Sequence, residues 1–225
     1  MTVEYIIGLA RSSGGTLYIM LVLLLVGLTV IVERAWFLYR LMSGGRRVNE
    51  AVADIPKART DLLVRQRDLA GLLPHAALLD VALTHPELDD RQALSDRLEE
   101  VIMHAIPRLD RSLWVLDTVV TLAPLLGLFG TIVGMFNAFS GLSEAGTAPV
   151  QVTGGVAEAL IATASGLFIA MLGLIFLNGL NNRTRLLVHQ LETLKQMLIN
   201  RVAFAGASGM NDTVQPKMAL ARTGS

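Results

Sequence analysis

The chain has no cysteine and few charged residues for its length. None of its 225 residues is a cysteine, which excludes disulfide scaffolds, thiolate zinc sites, iron–sulfur clusters and thiol nucleophiles. Charged residues make up 17% of the chain, against about 25% in soluble domains. Because Lys+Arg and Asp+Glu are both 19, the basic excess expected of a nucleic-acid-binding protein is missing.

Hydrophobic residues are in excess instead, at 52% of the chain with a mean hydropathy of +0.53. They concentrate in three runs, Leu17–Val32, Val119–Phe139 and Val156–Leu177. A membrane-spanning helix needs roughly 20 apolar residues. The first run reaches that length when it is extended through Trp36 to Tyr39, aromatic residues that suit a membrane interface. The runs could be buried helices of a soluble protein, but their length favours an all-α membrane protein with three transmembrane helices.

The first run is expected to be a retained span and not a cleaved signal peptide. The segment before it carries Glu4 and Arg11, so it lacks a basic leader. Glu33 and Arg34 follow the run in place of a small-residue cleavage site.

The distribution of basic residues predicts the orientation of the spans in their membrane. The link between spans two and three carries Glu144 and no Lys or Arg. Basic residues instead flank the other ends of the spans, at Arg40, Arg46, Arg47, Arg108, Arg111, Arg183 and Arg185. Since basic residues mark the cytoplasmic side, we expect the N-terminus to face outward, and the long loop and the C-terminus to face the cytoplasm.

These observations predict eight segments. They are an outward-facing N-terminal segment (1–16), transmembrane helix 1 (17–40), a cytoplasmic helical loop (41–115), transmembrane helix 2 (116–140), a short outward-facing loop (141–154), transmembrane helix 3 (155–182), a cytoplasmic helix (183–202) and a disordered tail (203–225).

The loop and the segment after the third span both favour helix. The spacing of Leu94, Leu98, Val101 and Ile102 predicts an amphipathic helix in the loop. A second helical pattern follows the third span, at Leu186, Leu187, Leu191, Leu194 and Leu198.

Three further predictions concern where helices of the loop begin, end or continue. Ser43–Gly45 is expected to be a break or flexible joint, and Thr84–Glu87 resembles a helix start. A long helix is expected to run through Asp110–Leu113 into span two.

Glu158 is the one charged residue in the third run. A charge at mid-membrane costs about 2.5–3.5 kcal/mol, and intramembrane acids usually face a bundle interior or a water path. A carboxyl in apolar surroundings favours its neutral form, so it can exchange protons. The alternative is that Glu158, near the start of its span, simply lies in the outer interface.

Small residues line both later spans at helical spacing and predict close packing of the two helices. We assign this packing to Gly127, Gly130, Gly134, Ala162, Gly166 and Ala170. Hydroxyls at Thr131, Thr163 and Ser165 are candidates for a proton pathway with Glu158, although helical hydroxyls often bond their own backbone.

Other chemistry is not supported by the sequence. The four histidines lie outside the runs at His75, His85, His104 and His189, without zinc spacing. No nucleophile–base pair or phosphate loop is present, so we expect no enzyme, no metal and no cofactor.

The second run reads LAPLLGLFGTIVGM over Leu122–Met135, and the third reads VAEALIATASGL over Val156–Leu167. Together they resemble the A-P-L-L-G-L-L-G-T-V-x-G-M and I-A-E-A-L-x-A-T-A-x-G-L signatures of the MotA/TolQ/ExbB proton-channel family, in its ExbB/TolQ branch. One departure is Leu172, where the family often has proline.

The resemblance implies a ring, typically a pentamer, whose second and third spans enclose a pore in the lipid bilayer. It also implies a bacterial inner membrane, so that the outward-facing N-terminal segment (1–16) and short loop (141–154) would be periplasmic. An ExbD- or TolR-like single-span partner would sit in the pore, and a TonB- or TolA-like protein would carry the work to the outer membrane. Glu158, Thr131 and Thr163 match the family's polar pore residues. The expected function is proton flow coupled to TonB-dependent transport or Tol envelope maintenance. A non-conducting oligomeric scaffold and a Na⁺-driven stator remain the alternatives.

Overall fold

All of the described chain is helical or in short turns. The computed structural model describes residues 15–56, 60–84, 91–145 and 149–211, and these contain no strand. The helices are α1 (Thr16–Asp54), α2 (Thr60–Ala70), α3 (Pro74–Thr84), α4 (Arg91–Leu109), α5 (Leu113–Ala145) and α6 (Pro149–Asn211). The predicted all-α fold is confirmed.

Three of these helices, α1, α5 and α6, are long and apolar enough to cross a membrane. Their most apolar stretches have mean hydropathies of 2.4, 2.1 and 2.4. They contain the predicted spans 17–40, 116–140 and 155–182.

The chain divides into two compact units. Of the described residues, the span unit comprises 15–36, 110–145 and 149–182, and the loop unit comprises 37–56, 60–84, 91–109 and 183–211. Both α1 and α6 contribute residues to each unit.

The span unit has a small core, made of Met20, Val119, Ala123, Ala162 and Ile169. Most of its large apolar side chains point outward instead. Phe136 and Ile175, for example, are 71% and 65% exposed. Such a surface is stable in lipid and not in water.

The loop unit has a larger, leucine-rich core. Helix α4 buries Leu94, Leu98 and Ile102 on one face, and Val101 packs beside them. The same cluster includes Leu78 and Leu79 of α3, Val48 and Val52 of α1, and Leu191, Leu194 and Leu198 of α6.

The joint predicted at Ser43–Gly45 is wrong, because α1 continues through it to Asp54. A Cβ on Gly44 would lie 2.8 Å from Leu73 Cδ1, and one on Gly45 would overlap the His75 ring. The glycines therefore provide room for the chain that enters α3, and they do not break the helix.

The long helix predicted through Asp110–Leu113 is also wrong. Helix α4 ends at Leu109 and α5 begins at Leu113. Between them Ser112 has a φ of 67°, a left-handed conformation that an L-residue rarely adopts and that interrupts a right-handed helix.

The remaining predicted boundaries are those at the two chain ends and the helix start at Thr84–Glu87. Helix α6 continues to Asn211, nine residues into the predicted disordered tail. Residues 212–225, 1–14 and 85–90 lie outside the described residues, and with them most of the helix start predicted at Thr84–Glu87.

Candidate proton-pathway site in the span unit

Helices α5 and α6 meet through small residues. A Cβ on Gly134 would lie 2.8 Å from Ala159 Cβ, and one on Gly127 would lie 3.0 Å from Thr163 Cα. A Cβ on Gly166 would overlap the carbonyl oxygen of Ala123. At these three places the backbones are too close for any side chain larger than hydrogen without a shift.

Helix α1 reaches the same contact. A Cβ on Gly130 would lie 2.9 Å from Ala162 Cβ and 3.0 Å from Thr16 Oγ1. Ala170 packs half-buried beside Ile169 in the core of the unit. The predicted packing residues thus lie along one shared helix contact.

Glu158 lies half-buried on α6, next to the fully buried Ala159. No Lys, Arg or His occurs between Arg111 and Arg183. A cation for this carboxyl must therefore come from outside that stretch or from another chain.

The three predicted hydroxyls differ in their partners. Thr163 Oγ1 donates to the Gly127 carbonyl oxygen of α5 at 2.9 Å, so it links the two helices. Thr131 donates to Leu128 O at 2.6 Å, and Ser165 donates to Ile161 O at 2.8 Å, each within its own helix. A hydroxyl bonded to a carbonyl keeps its oxygen lone pairs available as acceptors.

The contacts give these residues an order along the helix pair. Ala159, next to Glu158, meets α5 at Gly134, and Thr163 meets α5 at Gly127. Thr131 lies between those two glycines in the chain. Glu158, Thr131 and Thr163 therefore occupy neighbouring turns, while Ser165 follows Glu158 by seven residues, nearly two full turns. One titratable acid with nearby hydroxyls can accept and release protons, and it offers few ligands for a larger cation.

Two contacts of the span unit were not predicted. Thr16, assigned to the N-terminal segment, is the first residue of α1 and is buried at Gly130. Arg34 is also buried, and its Nη2 donates to Ser112 Oγ at 3.4 Å. The sequence could have indicated the contact of Arg34, because charged residues such as Glu33 and Arg34 within a long apolar helix require polar partners.

Comparisons with known proteins identify relatives of this chain. Residues 72–193 match the model of the MotA/TolQ/ExbB proton channel family. The chain is 36% identical to the Tol-Pal system protein TolQ of Pseudomonas aeruginosa, over 69% of this chain and 65% of that protein. It is 31% identical to the ExbB-like 1 biopolymer transport protein of Synechocystis, over 73% and 66%. Against the biopolymer transport protein ExbB of Pseudomonas putida it is 28% identical, over 69% of this chain and only 52% of the relative.

Proposed function

Because the chain belongs to the MotA/TolQ/ExbB proton channel family, we propose that it is the proton-conducting subunit of an ExbB–ExbD or TolQ–TolR type motor. It is a multi-pass helical protein of the bacterial inner membrane, related to biopolymer-transport and Tol-Pal subunits. The proposal assigns it the coupling of proton flow to TonB-dependent transport or to Tol envelope maintenance.

Glu158 is the observation on which the proposal depends. It is an acid in an apolar helix, half-buried and with no basic residue between Arg111 and Arg183. Acids in such positions are costly and mark ion or proton paths. In its protonated form Glu158 is neutral and stable in lipid, and in its ionised form it needs water or a cation on another chain.

Thr163 and Thr131 supply the next polar groups. The Thr163 hydroxyl is held by Gly127 O, and the Thr131 hydroxyl by Leu128 O, so both oxygens have fixed positions. A proton leaving Glu158 through water would pass these oxygens as hydrogen-bond acceptors. Ser165 extends the polar face of α6 beyond Glu158.

The outer surface of the span unit supports assembly with other chains. Phe136 and Ile175 are among many exposed apolar residues, which need lipid or neighbouring subunits around them. We propose a homo-oligomeric ring, a pentamer as in the family, around a single-span ExbD/TolR-like partner. That partner would supply the polar group that faces Glu158, and a TonB- or TolA-like protein would receive the motion.

The proposed orientation places the loop unit in the cytoplasm and the start of α1 at the periplasmic side. A proton entering near Glu158 would then move down its gradient toward the loop unit. Each charge crossing 100 mV gains about 2.3 kcal/mol, enough to bias a rotation or gating step.

Glu158→Gln tests the proposal. Glutamine keeps the size and hydrogen bonding of the side chain but cannot release a proton. In vesicles containing the complex, we expect proton flux and proton-dependent work to fall at least tenfold, while the native mass of the complex stays unchanged.

Glu33→Gln is the matched control, because Glu33 is an exposed acid of α1, and it should keep its flux. Full activity of Glu158→Gln would favour the non-conducting scaffold instead. Replacing Na⁺ by K⁺ at constant pH should leave flux unchanged, whereas a loss would identify a Na⁺-driven stator.

A further inference from the structure

Among the described residues of the loop unit, His75 is the most deeply buried titratable side chain. Its side chain is 0% exposed. Among the described residues, neither ring nitrogen has a hydrogen-bond partner. A neutral imidazole carries one donor and one acceptor, so this burial costs free energy that an apolar side chain would not cost.

A gap in α1 receives the His75 ring. A Cβ on Gly45 would lie 2.5 Å from His75 Nε2 and would overlap Cε1. Leu73, two residues before His75, occupies the equivalent space at Gly44. We call this pair of positions the Gly44–Gly45 notch.

Two amide side chains lie at the same notch. Gln190 Oε1 of α6 is 3.0 Å from the position of a Gly45 Cβ. Asn49, one turn after Gly45, donates from Nδ2 to Gln190 O at 2.9 Å. Within the described chain, Asn49 Oδ1 and Gln190 Oε1 are buried without a hydrogen-bond partner. Among the described residues, the groups at the notch are thus polar but uncharged.

Charged groups of the neighbouring helices lie elsewhere. Arg46 and Arg47 of α1 and His189 and Glu192 of α6 are exposed. Asp80 of α3 pairs with Arg67 of α2 at the surface, and Lys195 of α6 pairs with Glu99 of α4. Arg201 of α6 is half-buried and donates to the Ile55 and Ala53 carbonyl oxygens of the chain at the end of α1. The other described charged residues of these elements in the loop unit are exposed: Arg40, Glu50, Asp54, Asp61, Arg65, Asp68, Arg91, Asp96, Arg97, Glu100, Arg108, Arg183 and Arg185, with His104.

We propose that His75 is a proton-sensitive latch, which holds the start of α3 in the Gly44–Gly45 notch while neutral and releases it when protonated. An imidazolium in this position would be a buried charge without an anionic partner, which proteins strongly disfavour. Acidification around the loop unit would therefore loosen its packing. The latch is independent of proton conduction by Glu158.

The direction of the effect follows from linkage. Burial lowers the pKa of His75 from 6.5 to about 4, whereas a released His75 regains its ordinary pKa. Release therefore takes up a proton between these values, and docking is lost as pH falls from about 6.5 toward 4. From pH 7.5 to 5.5 the ratio of released to docked α3 should rise about tenfold.

A single engineered thiol can report this release, because the chain has no cysteine. Ala82→Cys places the thiol on the buried face of α3, and Ala77→Cys places it on the exposed face as a reference. The assembled full-length complex is labelled with 4,4′-dithiodipyridine, a disulfide reagent that stays reactive at low pH. We expect the ratio of the Ala82→Cys rate to the Ala77→Cys rate to rise about tenfold from pH 7.5 to 5.5.

His75→Gln should abolish this pH response, whereas His104→Gln, which removes a histidine 82% exposed, should keep it. A ratio that does not change with pH, or an equal response in His75→Gln, would overturn the proposal.

Gly45→Ala tests the latch while His75 is kept. The new methyl group fills the notch, so labelling of Ala82→Cys should be fast and independent of pH. Gly44→Ala meets only the flexible end of Leu73 and should stay pH-sensitive. A Gly45→Ala protein that remains closed at pH 7.5 and opens at pH 5.5 would contradict the latch.

Discussion

The two parts of α6 pack by opposite rules. In the span unit, its contacts are made by Ala159, Ala162 and Gly166, while Leu167 and Phe168 point outward at 52% and 62% exposure. In the loop unit, the same helix buries leucines completely, at Leu187, Leu191, Leu194 and Leu198. Large apolar residues of α6 are therefore exposed in the span unit and buried in the loop unit.

The solvent explains this difference. In lipid, an outward leucine is already in an apolar medium, so helices gain by close backbone contact between small residues. In water, each leucine gains about 1.5–3 kcal/mol by burial. The change from small to large buried residues along α6 therefore shows where its surroundings change from lipid to water.

Leu194→Ala should give the largest loss of stability. Leu194 is 0% exposed, and truncating such a residue costs about 2–5 kcal/mol. In a chain of this size, each kcal/mol lowers the thermal midpoint by roughly 2–4 °C. The midpoint of the detergent-solubilised complex measures it. Leu186→Ala is the control, since Leu186 is 46% exposed. An equal loss in both variants would mean that water does not set the packing of this part.

Gly166→Ala should give a smaller loss, although it adds only one methyl group. Its Cβ would overlap the Ala123 carbonyl oxygen, and since backbone atoms cannot rotate away, α5 and α6 must separate. Overpacking of this kind costs about 1–3 kcal/mol.

Gly179→Ala is the matched control for Gly166→Ala, because nothing lies within 4 Å of its Cβ position. It should be neutral or slightly stabilising, since alanine favours helix by about 1 kcal/mol over glycine. Thermal midpoints of the two variants check this, and a tolerated Gly166→Ala would argue against the close contact.

Hydropathy and periodicity predicted most of the helical framework. Three long apolar runs indicated α1, α5 and α6, because length and composition alone decide whether a helix can span a membrane. The glycine spacing indicated the contact of α5 and α6, since small residues recur at helical spacing along one face of each helix. The leucine spacing after the third span indicated the buried face of α6 in the loop unit.

Features that depend on the opposing helix were not predictable. Gly44 and Gly45 read as a joint, yet they accommodate Leu73 and His75, which lie far away in the chain. A pair of glycines is compatible with either a flexible joint or a close contact with another part of the chain, and only the position of the neighbouring helix distinguishes the two. The left-handed conformation of Ser112 could not be predicted, because glycine and asparagine, and not serine, are the residues that usually adopt it.

The pairing of Thr163 with Gly127 O likewise required the relative positions of two helices. The sequence identified Thr163 as a candidate hydroxyl of the proton pathway but could not say which carbonyl it would reach. The candidate residues were therefore identifiable in advance, and their partners were not.

The smallest expected effects concern two ion pairs of the loop unit. They test whether partial burial of an ion pair increases its contribution to stability. Lys195 Nζ donates to Glu99 Oε2 at 2.7 Å, with the lysine side chain 11% exposed and the glutamate 52%. Glu99→Gln leaves the ammonium mostly buried without its anion. Hydrogen bonds to charged groups contribute about 1.5–3 kcal/mol when buried, and solvent screening at Glu99 reduces this to about 1 kcal/mol.

Glu50→Gln is the comparison for that loss. The Arg46–Glu50 pair has a similar length, 2.9 Å, but its side chains are 77% and 63% exposed. Exposed pairs at this spacing contribute about 0.3–0.5 kcal/mol and are screened by salt. Thermal midpoints in low and high salt should therefore show a salt-sensitive, near-zero effect for Glu50→Gln and a larger, salt-resistant one for Glu99→Gln. If the two variants behaved alike, the burial of Lys195 would contribute nothing to the strength of its ion pair, and the packed leucines would account for the loop unit's stability on their own.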